Sequence, residues 1–303
     1  MIDFGRNPME RVLFIYNPNA GKGTLRQRLS EVIEIFMKAG FEVTVYATMG
    51  REDATNIVVE KGKNYDRIIC AGGDGTLHEV ADGLMELALE ERPKCGYIPT
   101  GTVNDFATSI KLPKRIIKAT EVAAGDNCRA YDIGDLNGDY FTYVAAFGAF
   151  TAVSYETPQS AKNLLGKTAY LLDGMSKIGS VKSVWARITT DDEVWEEDCI
   201  LGMITNTKTI GGFNLYRKNK VSLDDGYFDG IFIRNPKNAI ELNQVMNYLL
   251  TGEDNSQIHR IYSKQIVIET KEKVAYTLDG ENGGEYEKAV ITNHKQAITY
   301  FRG

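Results

Sequence analysis

Between Ile68 and Val80 the chain reads IICAGGDGTLHEV. A short apolar run ends in Gly72, Gly73, Asp74, Gly75 and Thr76, and helix-like apolar spacing follows. Glycine permits positive φ and leaves no Cβ in the path of a ligand. A glycine turn that opens a helix aims free N–H groups and the positive end of the helix dipole at one point, an arrangement suited to phosphate. The aspartate is the odd member. A carboxylate beside bound phosphate is repelled unless a cation lies between them. Asp74 therefore points to Mg²⁺, a hard ion that takes carboxylate and phosphate oxygens. Thr76 is placed to cap the helix or to donate to a phosphate. Read blandly, the same residues make a tight strand-to-helix turn with Asp74 as the cap, because Gly, Asp and Thr all favour turns locally.

Two further turns shift the balance. Asn17–Gly23, NPNAGKG, follows an apolar run and opens a helical pattern. It lacks the GxxxxGK[ST] spacing of a P-loop, and no GxGxxG follows the first strand, so neither a Walker motif nor a dinucleotide fingerprint is present. Lys22 suits either a phosphate or solvent. Pro99–Phe106, PTGTVNDF, brings Gly101-Thr102 and a second carboxylate, Asp105. Each turn alone reads as structural. Three on one predicted sheet edge favour a nucleotide phosphate site.

That edge is built by alternating strands and helices. Strands are expected at Arg11–Asn17, Phe41–Thr48, Asp66–Gly72 and Lys94–Gly101. Helical spacing fills Thr24–Gly40, Glu52–Gly62, Thr76–Glu91, Asn104–Ile110 and Lys114–Gly125. Repeated strand–helix units imply parallel strands covered by helices, with ligands at the carboxyl ends of the strands. From about residue 131 the pattern changes. Tyr131–Phe147 reads strand, Asn-Gly turn, strand, and Val184–Asn206 repeats that style around Asp191-Asp192. More strands are expected at Gly226–Asn235, Arg260–Thr270, Lys273–Gly283, Glu287–Asn293 and Gln296–Phe301, with inserted helices at 160–179 and 239–252. The division is an α/β domain at 1–130 and a β-rich domain at 131–294. The last strand, near 295–303, is a candidate to return to the first.

The 303 residues carry a net charge of −6, so no global basic field attracts nucleic acid. Cys70, Cys95, Cys128 and Cys199 lack metal-binding spacing and read as small buried hydrophobes in a reducing compartment. Nothing resembles a signal peptide, and nowhere do about 18 apolar residues run together. A cytoplasmic protein that touches a membrane from outside is expected. The helix at 160–179 carries more apolar residues than a narrow stripe needs. It reads as a core helix, with an acyl-chain cleft as the functional alternative. Arg217, Lys218 and Lys220 form either a solvated loop or an attraction for anionic headgroups, at roughly 1 kcal/mol each.

Taken together, GGDGTLHEV, YNPNAGKG before it and IPTGTVNDFA after it resemble the diacylglycerol-kinase catalytic family. More narrowly, they resemble the soluble bacterial lipid kinases of the YegS and DgkB type. The resemblance continues through VSLDDGYFDGIFI and YTLDGENG and so covers nearly the whole chain. It implies an α/β N-terminal domain of the NAD-kinase and diacylglycerol-kinase kind, a mainly antiparallel β-sandwich C-terminal domain, and an active site in the cleft between them. It implies ATP and Mg²⁺ as cofactors and a lipid alcohol, met at the membrane surface, as acceptor. Asn17, Pro18, Asn19, Ala20 and Gly21, with Gly72, Gly73, Asp74, Gly75, Thr76, Leu77, His78 and Glu79, would hold nucleotide. Thr102 and Thr48 would assist. Asp74 and Asp105 would organise Mg²⁺ through water, and Glu281 would be the general base. A structural Mg²⁺ would rest on the carbonyls of Ser222 and Tyr227 and the side chain of Asp225. The family's GGGF…P.A..DDG differs here, where IGGFNLYRKNKVSLDDG places Ile210 for a glycine and Tyr216-Arg217-Lys218 in the Ala-Pro region.

Without the resemblance, Glu281 reads as a turn residue, since Asp279-Gly280 is ordinary hairpin chemistry. His78 reads as a partly buried helix residue. The competing enzyme is an NAD kinase, which shares GGDGT. Its PTGST-like element comes later in the chain, however, whereas Pro99 lies only 25 residues after Asp74. A nucleotide- or lipid-binding regulator without turnover is the alternative of a different class. The acceptor lipid is undetermined at this level, and a homodimer is an open possibility.

Overall fold

The computed structural model describes residues 9–21, 23–102, 104–149, 182–207, 210 and 221–303. The expected helix at 160–179, the run Tyr216, Arg217, Lys218 and Lys220, and Lys22 lie outside the described residues. The chain divides into two units, Met1–Tyr131 with Ala297–Gly303, and Asp132–Gln296.

In the first unit, β1 (Arg11–Tyr16), β2 (Glu42–Ala47), β3 (Arg67–Gly72) and β4 (Lys94–Pro99) pair in the order β2-β1-β3-β4, all parallel. Parallel neighbours need crossovers. These are α1 (Leu29–Lys38), α2 (Asp53–Lys61) and α3 (Asp74–Met85). After β4 come the short α4 (Asp105–Ser109) and α5 (Ile116–Ala123). Every residue of β3 is buried, which explains its unbroken apolar run where a one-sided strand would alternate. Val12, Phe14, Phe36, Ile69, Ile98 and Ala119 anchor one core. Cys70 and Cys95 are buried in β3 and β4, and burial pushes both thiols well up.

Two helices differ most from the sequence expectation. The first helix begins at Leu29, after a 3-10 turn over Arg26–Arg28. The third begins at Asp74 and stops at Met85, short of Glu91. The Arg92 guanidinium accounts for the stop. It donates to the carbonyls of Leu87 and Met85, each at 3.0 Å, and so satisfies acceptors that a continuing helix would have used.

The second unit is built mainly of antiparallel strand pairs. The strands are β5 (Cys128–Leu136), β6 (Asp139–Phe141), β7 (Val144–Gly148), β8 (Val184–Thr189), β9 (Val194–Thr205), β10 (Phe228–Arg234), β11 (Ile258–Ser263), β12 (Gln265–Leu278) and β13 (Glu281–Phe301). Their order is β11-β10-β9-β7-β12-β13, with β8 against β9 and β12, and β5 against β6 and β13. Asn137 (φ 53) and Gly138 (φ 102) form the two-residue turn from β5 to β6. Asp279 (φ 52) and Gly280 (φ 90) do the same from β12 to β13. Positive φ at both central residues is what a type I′ hairpin requires. Phe141, Phe147, Phe228, Phe232 and Tyr276 fill the core. Helix α6 (Ala239–Thr251) is capped by the Asn238 side chain, which accepts from Ile240 N and Glu241 N, and is closed by Gly252 (φ 70).

The single strand expected at Arg260–Thr270 is two strands broken at Lys264. β11 pairs with β10, and β12 with β13, β7 and β8. Conversely, the two strands expected after Glu287 are one, β13, with a positive-φ residue at Gln296 (φ 52). That residue falls where the chain passes into the first unit. There Tyr300 pairs parallel with Cys95 of β4.

Candidate functional site

The first unit gathers three turns at the carboxyl ends of β1, β3 and β4. Asn17 N donates to Ala71 O at 2.9 Å, and Thr100 N to Gly72 O at 2.8 Å. The Asn17 side chain accepts from Asn19 N (2.9 Å) and donates to Thr76 Oγ1 (3.3 Å). Glycine permits the closest approaches. Gly21 has φ +59, and a Cβ there would collide with the Thr100 carbonyl oxygen. A Cβ on Gly101 would lie 2.7 Å from Gly73 Cα. Gly21→Ala is therefore expected to cost about 1–2 kcal/mol from the left-handed conformation alone. The collision should also push the Thr100 turn away. A lower melting temperature together with weakened nucleotide binding would register both effects.

Asp74 is the first residue of α3, and Gly73 is its N-cap, with no side-chain cap. Neither Asp74 nor Thr76 caps the helix as the local reading allowed, because the glycine before them already occupies that position. Instead the Asp74 carboxylate accepts from Asn104 N at 2.9 Å. The glycine turn after β3 is thus tied to the turn after β4. Tyr97 OH lies 3.3 Å from Gly72 O and 3.0 Å from Asn104 Oδ1. Burial, and next the Asp74 carboxylate, raise the Tyr97 phenol well above its ordinary range, so it stays a neutral donor.

The remaining nucleotide candidates fall into groups. Asn17, Pro18, Ala20, Gly73, Asp74 and Gly75 are half-buried, and Asn19, Gly21 and Thr102 are exposed, all on these turns. Thr48 is buried, and its N–H donates to Tyr16 O beside the first turn. Leu77 is fully buried in the core. Glu79 accepts from Ala54 N (3.2 Å) with its carboxylate and from Thr55 Oγ1 (2.9 Å) with its carbonyl, which secures the start of α2. His78 pairs with Asp82 one helical turn on, at 3.5 Å. Asp105 opens α4 and is 2 % exposed.

The second unit holds the other candidates. Glu281 is exposed immediately after the Asp279-Gly280 turn. Asp279 is buried, and its carboxylate accepts from Thr142 N (2.7 Å), Thr142 Oγ1 (2.8 Å), Tyr143 N (2.9 Å) and Val144 N (3.0 Å). Sequence reasoning missed this anchor, treating the aspartate as turn chemistry alone.

It also missed Asp132. Asp132 is fully buried and accepts from Gly226 N (2.6 Å) and Gln296 N (2.8 Å), while its own N–H donates to Leu223 O. A charged residue between Tyr131 and Ile133 in an apolar strand was the available signal. Asp132 holds the Ser222–Tyr227 loop expected to carry a metal. There Ser222 Oγ donates to Asp224 (2.8 Å), Tyr227 N to Asp225 Oδ1 (3.0 Å) and Tyr262 OH to Asp225 Oδ2 (3.0 Å). Burial, and then the Asp225 carboxylate, push Asp229 up to about 6. Burial first, with Asp225 as a lesser cause, also raises Asp132 against the hydrogen bonds it accepts. Crowded carboxylates of this kind fit a cation, which would relieve their repulsion. Among the described residues, no three or more His, Cys, Asp or Glu side chains converge as a ready metal cluster, so carbonyl oxygens would have to complete any such site.

A parallel α/β unit with a phosphate-suited glycine edge and an acidic residue on it, followed by an antiparallel β unit, defines a kinase-type nucleotide-binding architecture. Residues 11–136 match the diacylglycerol kinase catalytic domain, and residues 144–298 match the YegS C-terminal NAD kinase beta sandwich-like domain. The chain belongs to the diacylglycerol kinase catalytic-domain family. It is 37% identical over 280 residues to a diacylglycerol kinase of Bacillus subtilis (strain 168), covering 91% of each chain. It is 37% identical over 295 residues to that of Staphylococcus saprophyticus, covering 96% of this chain and 95% of the other. A crystal structure of a diacylglycerol kinase from Bacillus anthracis str. Sterne aligns over 98% of both chains, with TM-score 0.78 and 26% identity. Another solved chain from that organism covers 100% of this chain, with TM-score 0.84 and 29% identity.

Proposed function

We propose that the protein is an ATP-dependent lipid kinase acting on the hydroxyl of diacylglycerol or a related lipid alcohol. The observation that carries this reading is the convergence of three glycine turns around Asp74, whose carboxylate is held by Asn104 N. The turns at 17–21 and 73–75, partly open to solvent, present the backbone against which ATP phosphates would lie. Asp74 would be the carboxylate that holds Mg²⁺ beside them, and Asp105, buried at the start of α4, would help organise it through water. Mg²⁺, when bound, supplies charge neutralisation on the phosphates. Ser222, Asp225 and Tyr227 would form a second, structural cation loop.

In the transfer, the lipid oxygen bonds to the γ-phosphorus, the bond to the β-phosphate oxygen breaks, and ADP leaves. Glu281 takes the hydroxyl proton. The acceptor lies in a bilayer, and among the described residues no helix is long and apolar enough to cross one. On this reading the protein would meet that acceptor at the membrane surface.

The test is incubation with labelled ATP, Mg²⁺ and a panel of lipid alcohols in mixed micelles, with NAD as a parallel acceptor. A labelled lipid is expected, reduced about 10²–10³-fold in Asp74→Ala, the range for losing one preorganised charge-stabilising group. Labelled NADP, or ATP binding with no product from any acceptor, would overturn the reading.

A further inference from the structure

Asn104 is committed at every polar atom. Its backbone is left-handed (φ 55, ψ 56), a conformation uncommon outside glycine but tolerated best by Asn and Asp. That conformation goes with an N–H donating to Asp74 Oδ2 at 2.9 Å. Its carbonyl accepts from Thr108 N and Thr108 Oγ1, both at 3.2 Å. Its side-chain Nδ2 donates to Gly101 O (2.7 Å), and Oδ1 accepts from Gly101 N (3.2 Å) and Tyr97 OH (3.0 Å). The amide orientation is unambiguous, because Gly101 N can only donate and Gly101 O can only accept.

We propose that Asn104 is the positioning residue for Asp74, and that it sets how tightly the site takes a divalent cation together with ATP. The inference rests on the reading of Asp74 as the Mg²⁺-organising carboxylate. The side chain locks the 101–104 turn, the locked turn aims one N–H, and that N–H fixes one carboxylate oxygen and leaves Asp74 a defined orientation. Side chains that orient a ligating group from behind are typically worth about 10–100-fold in metal affinity or activity. No other residue type fits all the requirements. Gly keeps the backbone conformation but loses the lock. Ala loses the lock and strains the backbone. Asp loses the donor to Gly101 O and adds a like charge near Asp74.

The experiment compares wild type, Asn104→Gly, Tyr97→Phe, the double variant of these two, Thr108→Ala and Asp74→Ala. Calorimetry measures ATP binding with Mg²⁺ and with chelator, and the Mg²⁺ dependence of lipid phosphorylation is followed in parallel. Asn104→Gly is expected to weaken Mg²⁺-dependent ATP binding and to raise half-saturating Mg²⁺ by about 10-fold or more, a larger loss than chelated ATP binding suffers from the loosened 101–104 turn, with the lipid KM unchanged. Tyr97→Phe, which removes one donor to Asn104 Oδ1, should shift half-saturating Mg²⁺ the same way by a smaller factor and be non-additive with Asn104→Gly. It carries the test if the glycine variant does not fold. Thr108→Ala touches the same turn without touching Asp74 or Gly101 and should leave the Mg²⁺ dependence as in wild type. If Asp74→Ala disables the enzyme while Asn104→Gly and Tyr97→Phe keep wild-type Mg²⁺ dependence, the positioning role is overturned and the reading of Asp74 stands. If Asp74→Ala itself keeps wild-type turnover, the underlying reading falls.

Discussion

Glu281→Gln is expected to slow phosphate transfer by about 10²–10⁴-fold, the usual contribution of a positioned general base. The substitution preserves size and hydrogen-bonding capacity but removes the basic carboxylate. Glu281 is exposed and follows a turn whose geometry is set by Asp279 and Gly280, so a neutral replacement leaves the hairpin intact. Melting temperature and ATP affinity should therefore stay near wild type while the single-turnover rate collapses. A transfer rate equal to that of the wild type would remove Glu281 from the chemistry and return it to an ordinary turn position.

Asp279→Ala should produce the largest loss of stability. Four donors, the N–H groups of Thr142, Tyr143 and Val144 and the Thr142 hydroxyl, now share one buried carboxylate. Removing it leaves them without that acceptor, and an unsatisfied buried donor costs about 1–3 kcal/mol. Ala must also adopt φ 52, at roughly 1–2 kcal/mol. A total of about 4 kcal/mol or more is expected, a large share of the roughly 5–15 kcal/mol that holds a domain folded. Asp279→Asn should be intermediate. Asn tolerates the backbone and keeps one acceptor oxygen, but turns an NH₂ toward two donors. Denaturant midpoints of the three proteins check the ranking. An alanine variant within about 1 kcal/mol of wild type would show that these bonds add little net stability. Because the same turn presents Glu281, activity should fall even where the variant remains folded.

The local features were legible because local physics produces them. The apolar run of β3 ending in Gly-Gly-Asp-Gly-Thr announces a buried strand, a turn and a helix within a dozen residues. The Asn137-Gly138 and Asp279-Gly280 pairs announce their hairpins, since few other dipeptides accept positive φ twice in succession. The motif order also pointed to the family. Where the sequence was misread, the cause lay outside the stretch being read. The third helix stops at Met85 because Arg92 folds back onto its carbonyls. The strand at Arg260–Thr270 breaks at Lys264 because its two halves pair with different neighbours. Local propensity does not encode a partner strand.

The same division runs through the candidate site. The sequence by itself determined that phosphate-suited turns, an acidic residue among them and a late Asp-Gly-Glu hairpin exist, because each is a property of a few consecutive residues. Only the tertiary structure decided what holds them. Asp74 is gripped by Asn104, 30 residues on. Asp132 secures the loop at Gly226, 94 residues on. Asp279 is anchored by residues 135 to 137 positions before it. A hydrogen bond depends on which atoms meet in space, and that meeting is set by the packing of whole strands and helices, which no short stretch of the chain contains.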